Sequence, residues 1–441
     1  MTLRIPAYVS LSCLAMSGLA WGQAPSSTAK VDVSVGYQGL PSKTPSNVQS
    51  GVQLSEGAVM HLGVGAEAGY DTNVFYGETD PRGSAIVRVV PFLELTNATR
   101  GGAAPSDVFF DLGAALTYRE YLSNDALIRQ QRALMPSAYG NLEFSRAQAM
   151  SFGLTESFSR TEDPPYLNTN SNRSFIRDVN QASARLRLTP GGGRLSLNVG
   201  YTNTIDWFET DALRVANSMG HLLVLDTSWK WLPKTALVLQ VSQGYISYFK
   251  TDNGANKPTS FPFHALAGLR GLISAKLTVN LLVGYANGFY DTVRPGPSGF
   301  RGNFSAIGEA NYSPTILTNI GLGYRHDFAN AILGDYYYVD AVYLNVGQAI
   351  AGRVGFGLSA RYESRSFQNI HLVSTNSYVS RHDNYVQVGV NLDYHIREWT
   401  YAGVAYTVMS NTSDYEQMSA LDPGRVNYLK QMMFARLGVT Y

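Results

Sequence analysis

Short segments in which apolar and polar residues alternate follow one another from Ala58 to Tyr441. In the first of them, MHLGVGAEAGY, one face of an extended chain carries Met60, Leu62 and Tyr70, and the other carries glycine and Glu67. A period of two residues is the period of a β-strand, and about ten residues suffice for a tilted strand to cross a bilayer. No apolar run reaches the ~20 residues that a membrane-spanning helix needs. The pattern therefore predicts an all-β chain.

The connections between these segments alternate in length. Short ones carry Pro or Gly, as in TPGGG at 189–193 and LPK at 232–234, and long polar ones such as YDTVRPGPSGFRG lie between them. Tight turns at one end and long loops at the other are typical of an up-and-down barrel, and a closed barrel leaves no unpaired backbone in lipid. We therefore predict a transmembrane antiparallel up-and-down β-barrel of about 18 strands (16 to 18) over residues 58–441.

The composition agrees with a surface that does not mostly face water. Charged residues make up 15% of the chain, the net charge is +1, and the chain has 42 glycines and 28 tyrosines. The balanced charge does not indicate the basic surface that a nucleic-acid-binding protein presents. Aromatic residues end the apolar runs and predict two girdles, unless they are ordinary strand-end aromatics. The girdle on the long-loop side would comprise Tyr70, Tyr118, Tyr201, Tyr285, Tyr324, Tyr362 and Tyr394, and the one on the short-turn side Trp399 and Tyr441.

The N-terminus has the pattern of an export signal. A short basic start, an apolar stretch and small residues before Pro25 predict a signal peptide over residues 1–24, cleaved after Sec-type export. The chain's one cysteine, Cys13, lies within it, so the mature chain would lack disulfides, thiol catalysis and cysteine metal sites. Residues 25–57 are rich in Ser, Thr and Pro and predict a flexible periplasmic leader or a small plug.

The polar face of each strand would line the interior of the barrel. The basic residues placed there are Arg88, Arg119, Arg185, Arg187, Lys230, Arg270, Arg325, Arg361 and Arg436, and the acidic ones are Glu67, Glu94, Asp111, Glu143, Asp226, Glu309 and Asp393. Such a mixed wall with a slight positive bias would pass hydrophilic solutes and mildly favour anions. Alternatively, these residues pair across strands and only solvate the interior. Inward glycines such as Gly63, Gly200 and Gly323 would widen it or allow the strands to bend.

Motifs for catalysis are missing from the sequence. It contains no Gly-x-Ser-x-Gly elbow, phosphate-binding loop or His-Glu-x-x-His, and we expect no cofactor and no metal site. The pairs His326–Asp327 and His382–Asp383 are predicted in outer loops, where adjacent residues of an extended chain point apart, so we expect no enzyme. The stretch IDWFETD at 205–211 is predicted as an outer loop that stacks on sugars, folds into the pore or simply packs.

The segments GVGAEAGYDTNVFY and IVRVVPFLEL carry a resemblance. Gly-Tyr-Asp-x-Asn-Val-Phe followed by a Val-Val-Pro strand is similar to the β-barrel porin 2 family of Gram-negative outer membranes, over most of residues 58–441. The resemblance implies an outer-membrane porin, and some members are associated with exopolysaccharide export. It therefore implies passage of a secreted polysaccharide, with periplasmic export proteins as partners, and it offers no catalytic residues.

The final stretch, RLGVTY, is predicted to be the strand that closes the barrel. Leu437, Val439 and Tyr441 would face lipid with Met433 and Ala435, and Arg436 would face the interior. An alternating strand that ends in an aromatic also resembles the C-terminal signal read by the barrel insertion machinery. We therefore expect Leu437, Val439 and Tyr441 to act in assembly.

These observations lead to one prediction and three alternatives. The prediction is a passive hydrophilic channel in the Gram-negative outer membrane, and the exopolysaccharide cargo follows from the resemblance only. The alternatives are a general or small-solute diffusion porin, a plugged structural or adhesion barrel, and a barrel enzyme that would depend on His326 or His382.

Overall fold

The computed structural model describes residues 52–55, 58–97, 107–145, 148–161, 176–249, 257–291, 302–332, 334–372, 377–397, 399–415 and 426–441. The predicted signal peptide, residues 1–24, lies outside these ranges, as does the leader of residues 25–57 except for residues 52–55. Within the described residues, no helix is both long and apolar enough to cross a membrane.

Strands account for nearly all of the regular structure. A short strand, β1 (Val52–Ser55), precedes the eighteen longer ones. These are β2 (Ala58–Asp71), β3 (Ser84–Thr96), β4 (Val108–Leu122), β5 (Ala133–Phe144), β6 (Met150–Thr161), β7 (Arg177–Leu188), β8 (Leu195–Phe208), β9 (Ser218–Leu232), β10 (Thr235–Tyr248), β11 (Phe263–Ser274), β12 (Leu277–Asn287), β13 (Asn303–Thr315), β14 (Thr318–Asn330), β15 (Tyr336–Ile350), β16 (Val354–Leu372), β17 (Ser377–Arg397), β18 (Thr400–Ser413) and β19 (Tyr428–Thr440). Single helical turns lie at α1 (Ala126–Arg129), α2 (Pro190–Gly193) and a 3-10 turn (Asp211–Ala216).

Each strand from β2 to β19 pairs antiparallel with the next, and β19 pairs with β2. Beyond this ladder, Leu62 and Tyr441 exchange both backbone hydrogen bonds, at 3.0 and 2.7 Å. β1 pairs with residues 58–60 of β2, past the end of β19. The protein is therefore a closed 18-stranded up-and-down barrel, which confirms the predicted fold, and the meeting of β19 with β2 is its closing seam.

The two ends of the barrel differ. At one end, strands are joined by two-residue turns such as 233–234, 275–276 and 316–317, and at the other by longer segments such as 72–83 and 209–217. We refer to these as the short-turn end and the long-loop end. The alternation follows the predicted one, except between β3, which ends at Thr96, and β4, which begins only at Val108.

The outer surface of the barrel is an apolar belt. Leu62, Leu281 and Val404 point outward and are 44%, 52% and 53% exposed, far more than side chains in the core of a soluble protein. The inward neighbours along each strand are mostly buried or half-buried. This alternation is what a barrel with a lipid-facing exterior requires.

Aromatic side chains lie at both edges of the belt. Toward the long-loop end, the hydroxyls of Tyr201, Tyr324 and Tyr362 bond outward polar groups, at 2.7 Å to His221, 2.7 Å to Asp340 and 2.8 Å to Asn384. Exposed aromatic residues toward the short-turn end are Trp229, Trp231, Tyr394, Trp399 and Tyr441. The placement of Tyr394 in the long-loop girdle was wrong, because β17 runs toward the short turns and Tyr394 lies near its end.

Several stretches predicted as loops belong to strands. β16 and β17 contain 19 and 21 residues and include most of residues 366–384, a polar stretch that the sequence predicts as an outer loop. Ile205 to Phe208 likewise complete β8. The prediction was wrong because backbone hydrogen bonds continue a hairpin beyond the point where its outward residues stop being apolar.

Candidate functional site: the barrel interior

All eleven residues predicted to line the interior share the inward alternation of their strands. They are Arg88, Arg119, Arg185, Arg187, Lys230, Arg270, Glu309, Arg325, Arg361, Asp393 and Arg436. Their surroundings differ, because some are buried in ion pairs and others are open to the interior space. That they line a conducting path remains a prediction.

Near the closing seam, an ion pair passes over a glycine. Arg436 on β19 donates from Nε and Nη2 to the two carboxylate oxygens of Asp393 on β17, at 2.9 and 2.7 Å. Between them in register lies Gly403 of β18. A Cβ at Gly403 would overlap the Asp393 carboxylate, so the glycine provides the space through which the pair forms.

The same row of residues continues across the seam. Glu67 of β2 lies opposite Arg436 in register and accepts a 3.3 Å hydrogen bond from Arg88 of β3. The guanidinium of Arg88 lies 4.2 Å from the ring centre of Phe434. Glu67 and Arg88 are both buried, so the charges in this region neutralise one another.

A second buried charge cluster lies on β16 and β17. Glu363 accepts from Arg365 Nε at 2.7 Å and contacts Arg361, and Arg381 Nε donates to Asp383 at 2.7 Å. Arg365, Arg381, Glu363 and Asp383 are nearly inaccessible to solvent. We call the inner faces of β16–β19, β2 and β3 the ion-paired wall.

Side chains of neighbouring strands cover some of the inward-facing glycines. The ring of Tyr343 passes over Gly323, so that its hydroxyl donates to Glu309 at 2.7 Å, and Phe92 covers Gly63 in the same way. Only some of the predicted positions, such as Gly200, have no atom within 4 Å of a Cβ built there. The expectation that these glycines widen the interior is therefore wrong at Gly63 and Gly323, because side chains from the neighbouring strands occupy the space.

The loop between β2 and β3, residues 72–83, folds into the barrel, and we call it the constriction loop. Its Val74 and Phe75 pack in a buried apolar cluster with Tyr121 of β4 and Ile128 of α1. Other members are inward side chains of β3, β18 and β19: Ile86, Met409, Tyr428, Met432 and Phe434. The loop therefore narrows the interior near the long-loop end. It contains Asn73, Val74 and Phe75 of the motif that carried the family resemblance, and Asp71 of that motif directly precedes it.

Asn73 holds the constriction loop. Its side-chain amide donates to the carbonyl oxygens of Gly77 at 2.7 Å and Leu429 at 3.1 Å, and its Oδ1 accepts from the Gly77 N–H at 2.8 Å. Lys430 Nζ binds the Asn73 carbonyl oxygen at 3.0 Å and the Asp71 carboxylate at 2.8 Å. The side chains of Asp71 and Lys430 are 0% and 4% exposed, so the loop rests on a buried charge pair.

Other loops at the long-loop end contact one another around Asn330. Asn330 accepts from the Tyr290 hydroxyl at 2.8 Å and donates to Ser260 Oγ at 2.7 Å, which joins the loops after β10 and β12 to the end of β14. Burial raises the pKa of the Tyr290 phenol well above its ordinary value, so the hydroxyl stays a neutral donor. Ile332 of the loop after β14 also packs on Phe208 and Leu213, from β8 and the 3-10 turn that follows it. We call this group of contacts the mouth cluster.

The two His-Asp pairs of the sequence lie in β14 and β17, so their placement in outer loops was wrong. His326 faces outward, with Nδ1 2.8 Å from Asp340, whereas Asp327 faces inward, 2.8 Å from His264 Nε2. The ring of His382 faces outward onto the hydroxyls of Ser364 and Ser366, while Asp383 binds Arg381 inside. Adjacent residues thus point apart, as expected from their alternation.

Sequence reasoning missed several inward charges, among them Asp71, Arg177, Arg365, Arg381 and Lys430. Arg381 lies in the stretch predicted as a loop, Arg365 directly precedes that stretch, and Lys430 directly precedes the predicted last strand, which begins at Gln431. The available signal was the period of two itself. Continuing it backward from Arg436 through Phe434 and Met432 places Lys430 inward.

One side of the interior is open and polar. The inner faces of β6–β8 carry hydroxyl and amide side chains, which we call the polar track: Thr155, Ser157, Gln181, Ser183, Asn198 and Thr202. Thr155 and Ser157 are exposed to the interior, and Ser183 and Thr202 hydroxyls lie 3.0 Å apart. The hydroxyls of Thr155 and Ser157 are thus accessible from the interior, whereas the charges of the ion-paired wall are mostly buried.

The solved structures that are similar to this chain have low sequence identity to it. No protein family and no curated protein matches the chain. The siderophore receptor PiuA from Acinetobacter baumannii has a TM-score of 0.49 at 8% identity, covering 88% of this chain and 82% of that one. Pseudomonas aeruginosa OpdQ has a TM-score of 0.39 at 12% identity, with coverages of 87% and 98%, and Acinetobacter baumannii OccAB3 has 0.42 at 10%, with 87% and 99%.

Proposed function

We propose that this protein is an outer-membrane channel that passes hydrophilic solutes passively through its barrel. The observation that carries the proposal is the combination of an apolar exterior with an open, uncharged polar track inside. A soluble barrel would not expose Leu62, Leu281 and Val404 together on its outer surface. A barrel of about 18 strands is also wide enough to enclose an aqueous path.

The outer membrane of a Gram-negative bacterium is the location that these features support. Closed barrels with apolar belts and aromatic edges are built for that bilayer, with short turns toward the periplasm and long loops outside. A signal peptide over residues 1–24 would deliver the chain by Sec-type export, and the barrel insertion machinery would then recognise its final strand. In this orientation the constriction loop and the mouth cluster face the exterior.

The cargo that we propose is an exopolysaccharide. The family resemblance motivates this proposal, and the hydroxyl and amide groups of the polar track support it, because they can exchange hydrogen bonds with successive sugar hydroxyls. Many weak contacts allow a chain to move on without being held. Periplasmic export proteins would supply the polysaccharide at the short-turn end, and the transport step would need no cofactor.

Two measurements test the proposal. In planar bilayers, the purified barrel should give a steady ion conductance. A strain lacking the protein should retain polysaccharide in the periplasm and secrete less of it. Conductance with unchanged secretion would contradict the cargo and favour a small-solute porin.

The loop packing favours a second candidate, a barrel closed at its long-loop end that serves a structural or adhesive purpose. Val74 and Phe75 fill part of the interior, and Asn330 links loops across the mouth. This candidate predicts no conductance in bilayers, even after the constriction loop is shortened. Conductance that rises when the loop is shortened would instead identify the loop as a restriction in a channel.

A further inference from the structure

Beside the polar track, the short-turn end of the interior carries three cations. Arg185 and Arg187 lie two residues apart on β7, Arg187 directly before its end, and Lys230 lies near the end of β9. Among the described residues, none of the three has a carboxylate within ion-pairing distance. Arg187 and Lys230 are exposed and Arg185 is half-buried, so their charges are available to a solute.

The neighbouring acids offset only part of this charge. Asp226 of β9 is buried and lies 3.7 Å from Arg270 Nη2, which offsets its charge, and it accepts a 3.5 Å hydrogen bond from Asn198 Nδ2. Glu143 of β5 shares a cross-strand row with Gly153 and Arg185, one strand removed from Arg185. The region therefore keeps an excess of positive charge, unlike the ion-paired wall.

We propose that Arg185, Arg187 and Lys230 form an entrance site for a linear acidic polysaccharide, one that bears carboxylates along its chain. This inference rests on the proposed channel function and specifies its substrate class. Arginine binds carboxylates with charge-assisted hydrogen bonds, and i and i+2 positions on one strand are about 7 Å apart, which lets neighbouring sugar units meet successive cations. The adjoining polar track then offers uncharged hydrogen-bonding groups for the sugar hydroxyls.

The position of the site fits export better than uptake. The cations lie at the short-turn end, which faces the periplasm in the proposed orientation, so a polymer leaving the cell meets them first. Attraction at an entrance raises the local concentration of an anionic polymer and speeds its capture. The uncharged track beyond it would not hold the polymer back.

Binding in detergent solution tests this site without requiring conductance. The probes are fluorescently labelled oligogalacturonate and a neutral malto-oligosaccharide of equal length, and the variant carries Arg185→Gln with Arg187→Gln. We expect the wild type to bind the acidic probe in preference to the neutral one. The double variant should bind it on the order of tenfold more weakly, because two charge-assisted contacts are lost. The matched control, Arg194→Gln with Lys234→Gln, removes two cations from the nearby short turns and should bind as the wild type does.

The possible outcomes separate this inference from the channel proposal. Equal binding of acidic and neutral probes by the wild type, or full binding by the Arg185 and Arg187 variant, would overturn the entrance site even if the barrel conducts. Preferential acidic binding that depends on these arginines would uphold the site even if bilayers show no conductance. Heat-modifiable migration shows whether the double variant folds. If it does not, the single variant Arg187→Gln, at an exposed position, provides the same comparison with a smaller expected loss of binding.

Discussion

Asp393 and Arg436 join two strands that are not neighbours. Their bidentate pair, at 2.9 and 2.7 Å, connects β17 to β19 over the backbone of β18. The side chains are only 13% and 15% exposed, so the pair is largely shielded from water. It ties the last strand to the wall through side chains, in addition to the backbone ladder at the closing seam.

Replacing Gly403 with alanine should break this pair. The new Cβ would overlap the Asp393 carboxylate and leave two shielded charges without their partners. We expect a loss of about 2 kcal/mol in the free energy of unfolding, less than for a fully buried pair. Urea titration followed by heat-modifiable migration measures it. Gly355→Ala is the control, since it has open space around its Cβ, and an equal loss there would contradict the explanation.

Lys430→Met should destabilise the barrel strongly. It leaves the Asp71 carboxylate, which is 0% exposed, without the ammonium group 2.8 Å away. Removing one partner of a buried pair costs about 3 kcal/mol or more. Adding Asp71→Asn should restore most of the stability, because the uncompensated charge disappears. Urea unfolding of the two single variants and the double variant gives the coupling, and purely additive effects would argue against the pair.

Asn73→Ala should release the constriction loop without unfolding the barrel. The substitution removes hydrogen bonds to Gly77 and to the Leu429 carbonyl oxygen, which hold the loop inward. We expect a larger and noisier single-channel conductance in planar bilayers. Asp80→Ala changes an exposed residue of the same loop and should leave conductance as it was. An unchanged conductance in Asn73→Ala would show that the loop does not restrict the path.

Deletion of Tyr441 should impair assembly. Tyr441 exchanges two backbone hydrogen bonds with Leu62, and its ring is exposed among the short-turn aromatic residues. Without it the closing seam loses its last pair of hydrogen bonds and an aromatic anchor. The fraction of chain that becomes heat-modifiable in outer membranes measures assembly. Tyr441→Phe keeps the backbone and the ring, and we expect it to assemble normally; a truncation that assembles equally well would contradict this account.

The fold could be predicted from the sequence because each strand has a clear period of two. Tyr324 and Arg325, for example, are adjacent and fall on opposite faces, as they do in the structure. The predicted number of about 18 strands agrees with the eighteen that form the closed barrel. Strand ends were less predictable, because the paired backbone of β16 and β17 extends beyond the apolar residues that reveal a strand.

The arrangement of the interior could be predicted only in part. Alternation indicates that Asp393 and Arg436 point inward, but their contact depends on the register of three strands and on a glycine between them. The inward fold of the constriction loop likewise depends on contacts between residues far apart, such as Asn73 with Leu429. The sequence did contain a signal of this inward fold, since Val74 and Phe75 are apolar residues within an otherwise polar connection.

The separation of the ion-paired wall from the polar track has an evolutionary consequence. Closure of the barrel depends on β19, β2 and β3, whereas the polar track and the three cations beside it belong to β6–β9. Mutations at Arg185, Arg187 or Lys230 can therefore alter which solute is preferred while the strands that complete assembly keep their sequence. A lineage could adapt this scaffold to a new secreted polymer through a few substitutions on one arc of the cylinder.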